Sequence, residues 1–148
     1  MMKYLFLIIL SSFALYSCKK KEKTLDPVPV IELVNVTPTN IAQFKDSILV
    51  TIKYKDNNGD IGDQSPDEYS LGVKDSRLSA ADWYHVQPLA PLGHELKFNG
   101  TIQVKINTMF LLGNGKQELS TLSIKLKDRA GHWSNEINTP SITINDTL

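Results

Sequence analysis

The residues best suited to chemistry in this chain lie in one short acidic segment, residues 56–68, here called the acidic loop. It contains no lysine or arginine, and its candidate ligands are Asp56, Asn58, Asp60, Asp63 and Asp67. Clustered carboxylates repel one another unless a cation or solvent screens them. Hard oxygen ligands at alternating positions suit Ca²⁺, which takes about six to eight oxygens. The spacing therefore predicts a calcium site, formed by these five residues together with Asp128 from a later loop.

A second interpretation of the acidic loop involves no metal. Asp56, Asn58 and Asp60 have the one-three-five spacing of an EF-hand loop, but the sixth position is Ile61, where that loop needs glycine. The flanking segments are predicted strands rather than helices, so the segment is not an EF-hand. Asp and Asn side chains also cap their own backbone in turns, where glycine supplies the positive φ. A calcium-stabilised loop and a self-capped turn both remain open from the residues alone.

The rest of the chain alternates between apolar and polar residues, with the period of two that is typical of half-buried strands. We predict about seven strands, at residues 29–36, 47–55, 69–74, 83–86, 98–106, 119–127 and 141–144. No window of useful length shows helical spacing. The pattern predicts an all-β fold, a single antiparallel immunoglobulin-like β-sandwich that spans residues 28–148. One of the two tryptophans, Trp83 or Trp133, is the expected anchor of its core.

Strand direction predicts which loops meet. If successive strands alternate in direction, one end of the sandwich carries three loops, at residues 56–68, 88–95 and 128–136. Asp128 would then lie near the acidic loop, and the same end would be lined by His94, His132 and Trp133. An aromatic residue with polar neighbours on loops is typical of a recognition patch. These three are therefore candidate ligand-binding residues; core packing of the tryptophan and ordinary surface positions of the histidines are the alternatives.

The N-terminus predicts export and lipid attachment. Residues 1–17 place one cation, Lys3, before an apolar stretch that is too short to span a membrane, which is the layout of a secretory signal peptide. This segment leads into Leu15-Tyr16-Ser17-Cys18, which resembles the bacterial lipobox and implies lipidation of Cys18. Cys18 is the only cysteine, so the predicted domain contains no thiol nucleophile. Residues 18–27 predict a short tether between the lipid and that domain.

Two further segments carry a resemblance to known proteins. The segment Lys127-Asp128-Arg129-Ala130-Gly131-His132-Trp133-Ser134-Asn135 looks like the last hairpin of bacterial immunoglobulin-like and fibronectin-type-III-like domains, with His132 in place of the usual Asn. The segment Tyr54-Lys55-Asp56-Asn57-Asn58-Gly59-Asp60-Ile61-Gly62 is similar to a loop of small Bacteroidetes lipoproteins. Together with the lipobox, these segments resemble a small lipoprotein family of that phylum. The resemblance implies a sandwich fold and no specific activity.

Charge and missing motifs narrow the class of function. Residues 28–148 hold 11 basic and 14 acidic side chains, which argues against a nucleic-acid partner. The chain lacks the Gly-x-Ser-x-Gly elbow of hydrolases, the His-Glu-x-x-His motif of zinc proteases and a phosphate-binding glycine loop. We therefore expect that the protein is not an enzyme.

The combined expectation is a cell-envelope lipoprotein whose sandwich binds a protein or glycan partner. Lipoproteins that this chain resembles usually have basic or neutral residues after the cysteine when they face the periplasm. The lysines that follow Cys18 therefore imply, through that resemblance, an anchor in the outer membrane on its periplasmic face rather than on the cell surface. One alternative is a glycan-binding accessory module of an outer-membrane uptake system, which predicts exposed, coplanar aromatic residues among Trp83, Tyr84 and Trp133. Another is a structural subunit of an envelope complex, which predicts an exposed apolar patch or sheet edge.

Overall fold

The computed structural model describes residues 26–91 and 96–147. The predicted signal peptide at residues 1–17, the lipidation site Cys18 and the candidate ligand-binding residue His94 lie outside the described residues. Within them the chain forms ten strands and no helix, so the predicted all-β sandwich class is confirmed. The strands are β1 (Val30–Thr37), β2 (Asn40–Ala42), β3 (Ile48–Asp56), β4 (Leu71–Asp75), β5 (Asp82–Tyr84), β6 (Phe98–Ile106), β7 (Gln117–Ser120), β8 (Leu122–Leu126), β9 (Ile137–Asn138) and β10 (Ile142–Asn145).

The strands form three sheets. Their strand orders are β1-β3-β6, β2-β10-β7 and β5-β4-β8-β9. All pairs are antiparallel except β2 with β10, which run parallel. This single parallel pair departs from the predicted antiparallel sandwich. β10 lies between its two neighbours, parallel to β2 and antiparallel to β7.

The core consists mainly of aliphatic side chains that alternate inward along the strands. In β3 the side chains of Ile48, Val50 and Ile52 are fully buried, whereas Lys53 and Lys55 point to solvent. Inward residues from all three sheets join in one apolar cluster, and burial of this apolar area is the main favourable term in folding. Neither Trp83 nor Trp133 belongs to the cluster, since both are exposed. The expectation of a tryptophan anchor is therefore wrong.

The predicted strand at residues 119–127 is two strands in different sheets. β7 pairs with β10, and β8 pairs with β4, so the chain passes from one sheet to the other at Thr121. The break lies between the exposed Leu119 and the buried Leu122. The short strands β2 and β9 were not predicted, because two or three residues are too few to establish an alternating pattern.

An ionic cluster joins the β4 end to β7. The Arg77 guanidinium contacts the Asp75 carboxylate at 2.7 Å and the Glu118 carboxylate at 2.6 Å. The Ser120 hydroxyl donates a hydrogen bond of 2.5 Å to Asp75 Oδ1. Asp75 ends β4, whereas Glu118 and Ser120 belong to β7. The cluster therefore ties two of the three sheets together.

Candidate functional site

The loops that were predicted to share one end of the sandwich do meet there. The backbone amide of Arg129 donates to the carbonyl of Asp60 at 3.0 Å, and Leu89 N–H donates to the carbonyl of Ile61 at 3.1 Å. Ile61 and Asp128 also form an antiparallel bridge. The acidic loop therefore contacts both the loop that follows β5 and the final turn, residues 128–136.

Asp56 caps the backbone of the acidic loop. Its side chain is buried, and its two oxygens accept hydrogen bonds from the N–H groups of Asn58, at 3.4 Å, and Asp60, at 2.8 Å. Gly59 and Gly62 adopt the positive φ angles of 69° and 82° that such a tight path requires. These features are those of the self-capped turn.

Two side-chain oxygens of the acidic loop have no such partner. Among the described residues, Oδ1 of Asn58 and Oδ1 of Asp60 are buried without a hydrogen-bond partner. The pKa of Asp60 is raised, first by burial and then by the nearby carboxylates of Asp128 and Asp56. Buried oxygens that lack a donor carry an energetic cost that a cation or an ordered water would remove.

Asp128 organises the final turn. It is 2% exposed, and its oxygens contact the backbone N–H of His132 at 2.7 Å and the ring Nδ1 of His132 at 2.8 Å. The Arg129 guanidinium donates to the carbonyls of Gly62, at 2.7 Å, and Gly59, at 3.4 Å. The predicted ligand-binding residue His132 is thus a partner of Asp128 within the turn.

The six predicted calcium ligands are only partly brought together. Asp56, Asn58, Asp60 and Asp128 lie in one region, whereas Asp63 accepts a hydrogen bond from Ser65 N–H at 2.9 Å and Asp67 is exposed. Over residues 26–91 and 96–147, no group of three or more His, Cys, Asp or Glu side chains is placed to hold a metal ion. The two unpartnered oxygens therefore remain the observation that favours a cation.

Two exposed tryptophans lie side by side next to the final turn. Trp83 is 44% exposed and Trp133 is 38% exposed. Their ring centroids are 5.6 Å apart, and their planes are inclined by 55°. Trp133 was a predicted candidate, but Trp83 was not among the proposed site residues. Large apolar groups placed in contact on a surface are typical of binding sites.

Sheet register explains why these side chains meet. Gly72 of β4 pairs with Trp83 on one side and with Lys125 on the other. A Cβ atom on Gly72 would lie 2.9 Å from Cζ3 of Trp83, so glycine lets the indole lie across the strand. Trp133 forms a bridge with Lys127, two residues after Lys125 on the same face.

The ammonium groups of the two lysines lie against the indole rings. Lys125 Nζ is 4.5 Å from the ring centroid of Trp133 and 6.0 Å from that of Trp83. Lys127 Nζ is 5.6 Å from the ring centroid of Trp133. These distances are those of cation–π contacts. We call Trp83, Trp133, Lys125 and Lys127 the tryptophan surface; it combines two exposed indole rings with hydrogen-bond donors that lie over them.

A second exposed aromatic pair lies away from this surface. Phe44 and Phe110 stack with centroids 5.6 Å apart and planes inclined by 6°. Phe44 has a φ of 59°, which is unfavourable for a bulky side chain. Both rings are exposed. This pair is the kind of apolar patch that the structural-subunit alternative predicts.

A comparison with known proteins found no match to this chain. No family model, no curated protein and no solved structure matches this chain. In the part of the chain that the structure describes, no helix is long and apolar enough to cross a bilayer. The function therefore has to be argued from the geometry of the described surfaces.

Proposed function

We propose that this protein is a cell-envelope lipoprotein whose β-sandwich binds glycans through the tryptophan surface. The observation that carries the proposal is the exposed contact between Trp83 and Trp133. The exposure of the two rings matches what the glycan-binding alternative predicts from the sequence, whereas their inclination does not match the coplanar arrangement that it also predicts. The third aromatic candidate, Tyr84, packs against the core and does not join the surface.

The chemistry of a sugar suits these groups. One face of a pyranose ring presents C–H groups that pack on an indole, while its hydroxyls need hydrogen-bond partners at the edge. The Lys125 and Lys127 ammonium groups supply such donors. Because the two indole planes are inclined by 55°, both rings do not lie flat on one planar ribbon. They fit successive sugar units that are turned relative to each other.

Removal of either indole is expected to weaken glycan binding strongly. Central tryptophans in interfaces contribute about 2 kcal/mol or more each, which is about thirtyfold in Kd. We therefore expect Trp83→Ala and Trp133→Ala each to weaken binding of a saccharide, identified on a glycan array, by about that factor. Calorimetric titration measures the Kd, and thermal melting checks that each variant is folded.

Phe110→Ala is the matched control, because it removes an exposed aromatic ring outside the tryptophan surface. Its saccharide affinity should equal that of the wild type. Failure of every saccharide on the array to bind would contradict the proposal. If Phe110→Ala instead released a co-purifying protein, the second candidate function, a structural subunit of an envelope complex, would be favoured.

The lipid anchor is a separate element of the proposal. Val30, the first residue of β1, follows a segment held at the acidic loop, where Asn57 Nδ2 donates to the Asp26 carbonyl at 2.7 Å. A tether from Cys18 would thus join the sandwich at this end. We expect wild-type protein in the membrane fraction and Cys18→Ala in the soluble fraction, with a mass that lacks the acyl groups. Membrane fractionation of an unacylated variant would contradict the anchor.

We also propose that Ca²⁺ stabilises the acidic loop. The support is the pair of buried oxygens without a partner, Asn58 Oδ1 and Asp60 Oδ1, beside the carboxylates of Asp56 and Asp128. Oxygen donors of this kind are those that Ca²⁺ prefers. The competing account is that these oxygens bind ordered water and that the loop is self-capped.

Asp60→Asn separates the two accounts of the loop. Because the pKa of Asp60 is raised on folding, its charge costs stability at neutral pH, and that cost disappears as the pH falls through the folded pKa. Without metal, Asp60→Asn should therefore melt at a higher temperature than the wild type. With saturating Ca²⁺ the wild type should gain stability, since the ion binds only the folded state, and the variant should gain less. A wild-type melting temperature that is equal in calcium and in chelator would contradict the calcium proposal.

A further inference from the structure

The tryptophan surface carries two cations that form no ion pair with an acid among the described residues. Across the described residues, no carboxylate lies within 4.0 Å of the ammonium groups of Lys125 or Lys127. We propose that the ligand of this surface is an anionic saccharide, whose carboxylate or sulfate groups pair with these two lysines. This inference rests on the proposed glycan-binding function and names the chemical class of the ligand.

The sheet places positive charge, and no acid, on the outward side of its strands β5, β4 and β8. Gly72 pairs with Trp83 and Lys125, and Lys74 pairs with Ser123. These residues share the outward face because side chains alternate along a strand. The acidic residues of the same strands, Asp75 and Asp82, pair with the buried Leu122 and Val73 on the other face. An approaching anion therefore meets Lys74 and Lys125 on this face, whereas Lys127 also borders a pocket that Asp63 and Glu68 line.

The indoles hold the lysines where an anion would need them. Lys125 lies 4.5 Å and Lys127 lies 5.6 Å from the ring centroid of Trp133, and cation–π attraction limits how far the ammonium groups swing. Like charges two residues apart on one face repel each other. An anionic group between them would relieve that repulsion and form charge-assisted hydrogen bonds, which are stronger than neutral ones.

The two parts of the ligand therefore have separate partners. The apolar face of the sugar ring would pack on the indoles, and the acid group at the ring edge would reach the ammonium groups beside them. A neutral saccharide has only the apolar face that packs on the indoles. An acidic peptide has only the acid groups that pair with the lysines. Binding of an anionic saccharide should consequently depend on both the tryptophans and the lysines.

The test is calorimetric titration of the full chain with three oligosaccharides of matched length. One is a uronic-acid polymer, one is a sulfated glycan and one is a neutral glucan; polyglutamate serves as an anion without a sugar ring. The charge variant is Lys125→Gln with Lys127→Gln. Its matched control is Lys53→Gln with Lys55→Gln, which removes two exposed lysines with the same spacing from β3, in another sheet.

We expect at least one of the two anionic saccharides to bind about tenfold more tightly than the neutral glucan. The comparison of the carboxylated and sulfated ligands identifies the acid group. The Lys125/Lys127 variant should lose about tenfold in affinity, since each exposed ion pair contributes up to about 1 kcal/mol. The Lys53/Lys55 control should bind as the wild type does. Higher salt should reduce the preference, because the two lysines are half-exposed and dissolved ions can screen their charges.

Two results would overturn the inference without by themselves excluding the proposed glycan-binding function. Equal, tryptophan-dependent binding of the neutral and anionic saccharides would leave the glycan-binding function standing without the anionic class. Equal binding of polyglutamate, unaffected by Trp133→Ala, would show a plain charge site for acidic chains. If no saccharide binds at all, the proposed function fails, and the inference fails with it.

Discussion

Asp75→Ala is expected to lower the free energy of unfolding by about 2 to 3 kcal/mol. The Asp75 side chain is only 10% exposed and accepts hydrogen bonds from Ser120 and Arg77. Its removal leaves the Arg77 guanidinium, also largely buried, with one carboxylate partner instead of two. Loss of one partner from a buried ionic cluster is costly because the remaining charge stays desolvated. Chemical denaturation of the wild type and the variant measures the difference.

The same cluster predicts a dependence of stability on pH. Burial alone would raise the pKa of Asp75, but the hydrogen bonds from Arg77 and Ser120 outweigh it, and the pKa is lowered on folding. A carboxyl group with a lowered folded pKa stabilises the protein above its unfolded pKa, about 4. That stabilisation is lost as the pH falls below about 4, through the folded pKa. Asp75→Asn should lose this component of the acid dependence.

A suitable control is Glu32→Ala, since Glu32 is an exposed residue on β1. Surface substitutions of this kind change stability by no more than about 0.5 kcal/mol. If Asp75→Ala were equally mild and kept the wild-type acid dependence, the ionic cluster would not join β4 to β7 energetically.

Asp128→Ala is expected to cost about 2 kcal/mol of stability and to weaken saccharide binding as well. Asp128 is buried, and its carboxylate is the acceptor for the His132 N–H and a partner of the His132 ring. Without it, the N–H loses its hydrogen bond inside the turn. Trp133 follows His132 directly and bridges to Lys127. A relaxed turn should therefore misplace one of the two indoles.

Two measurements distinguish this positional effect from global unfolding. Hydrogen exchange should accelerate over residues 127–134 more than in β3, since local opening requires less free energy than unfolding of the core. Asp128→Asn keeps one carbonyl acceptor and should lose about half as much stability. Unchanged saccharide affinity in a folded Asp128→Ala protein would show that the turn does not position Trp133.

The long strands were predictable from the sequence because their patterns are local. β1, β3 and β6 are eight or nine residues long. Alternation of apolar and polar residues over such a length indicates a strand and does not fit a helix. The meeting of the acidic loop with the final turn was also predictable, because it depends only on the direction of successive strands. The switch of sheets at Thr121 was not predictable, since it depends on which distant strands receive β7 and β8.

The tryptophan surface, too, could be predicted only in part from the sequence. Trp133 could be named as a candidate from its place in a turn rich in polar residues. Trp83 belongs to this surface because it pairs with Gly72 on one side of β4. Lys125 belongs to it because it pairs with Gly72 on the other side of β4. Register between strands that are distant in sequence is set by the whole core, so a single sequence does not specify it.

The central place of β10 in its sheet has a consequence for biogenesis. β2 and β7 flank β10, so each lacks a hydrogen-bonded neighbour in this sheet until Ile142–Asn145 has been synthesised. A nascent polypeptide emerges N-terminus first, and here it would present two incomplete edges throughout elongation. Folding of this sheet must therefore be completed after translation of β10.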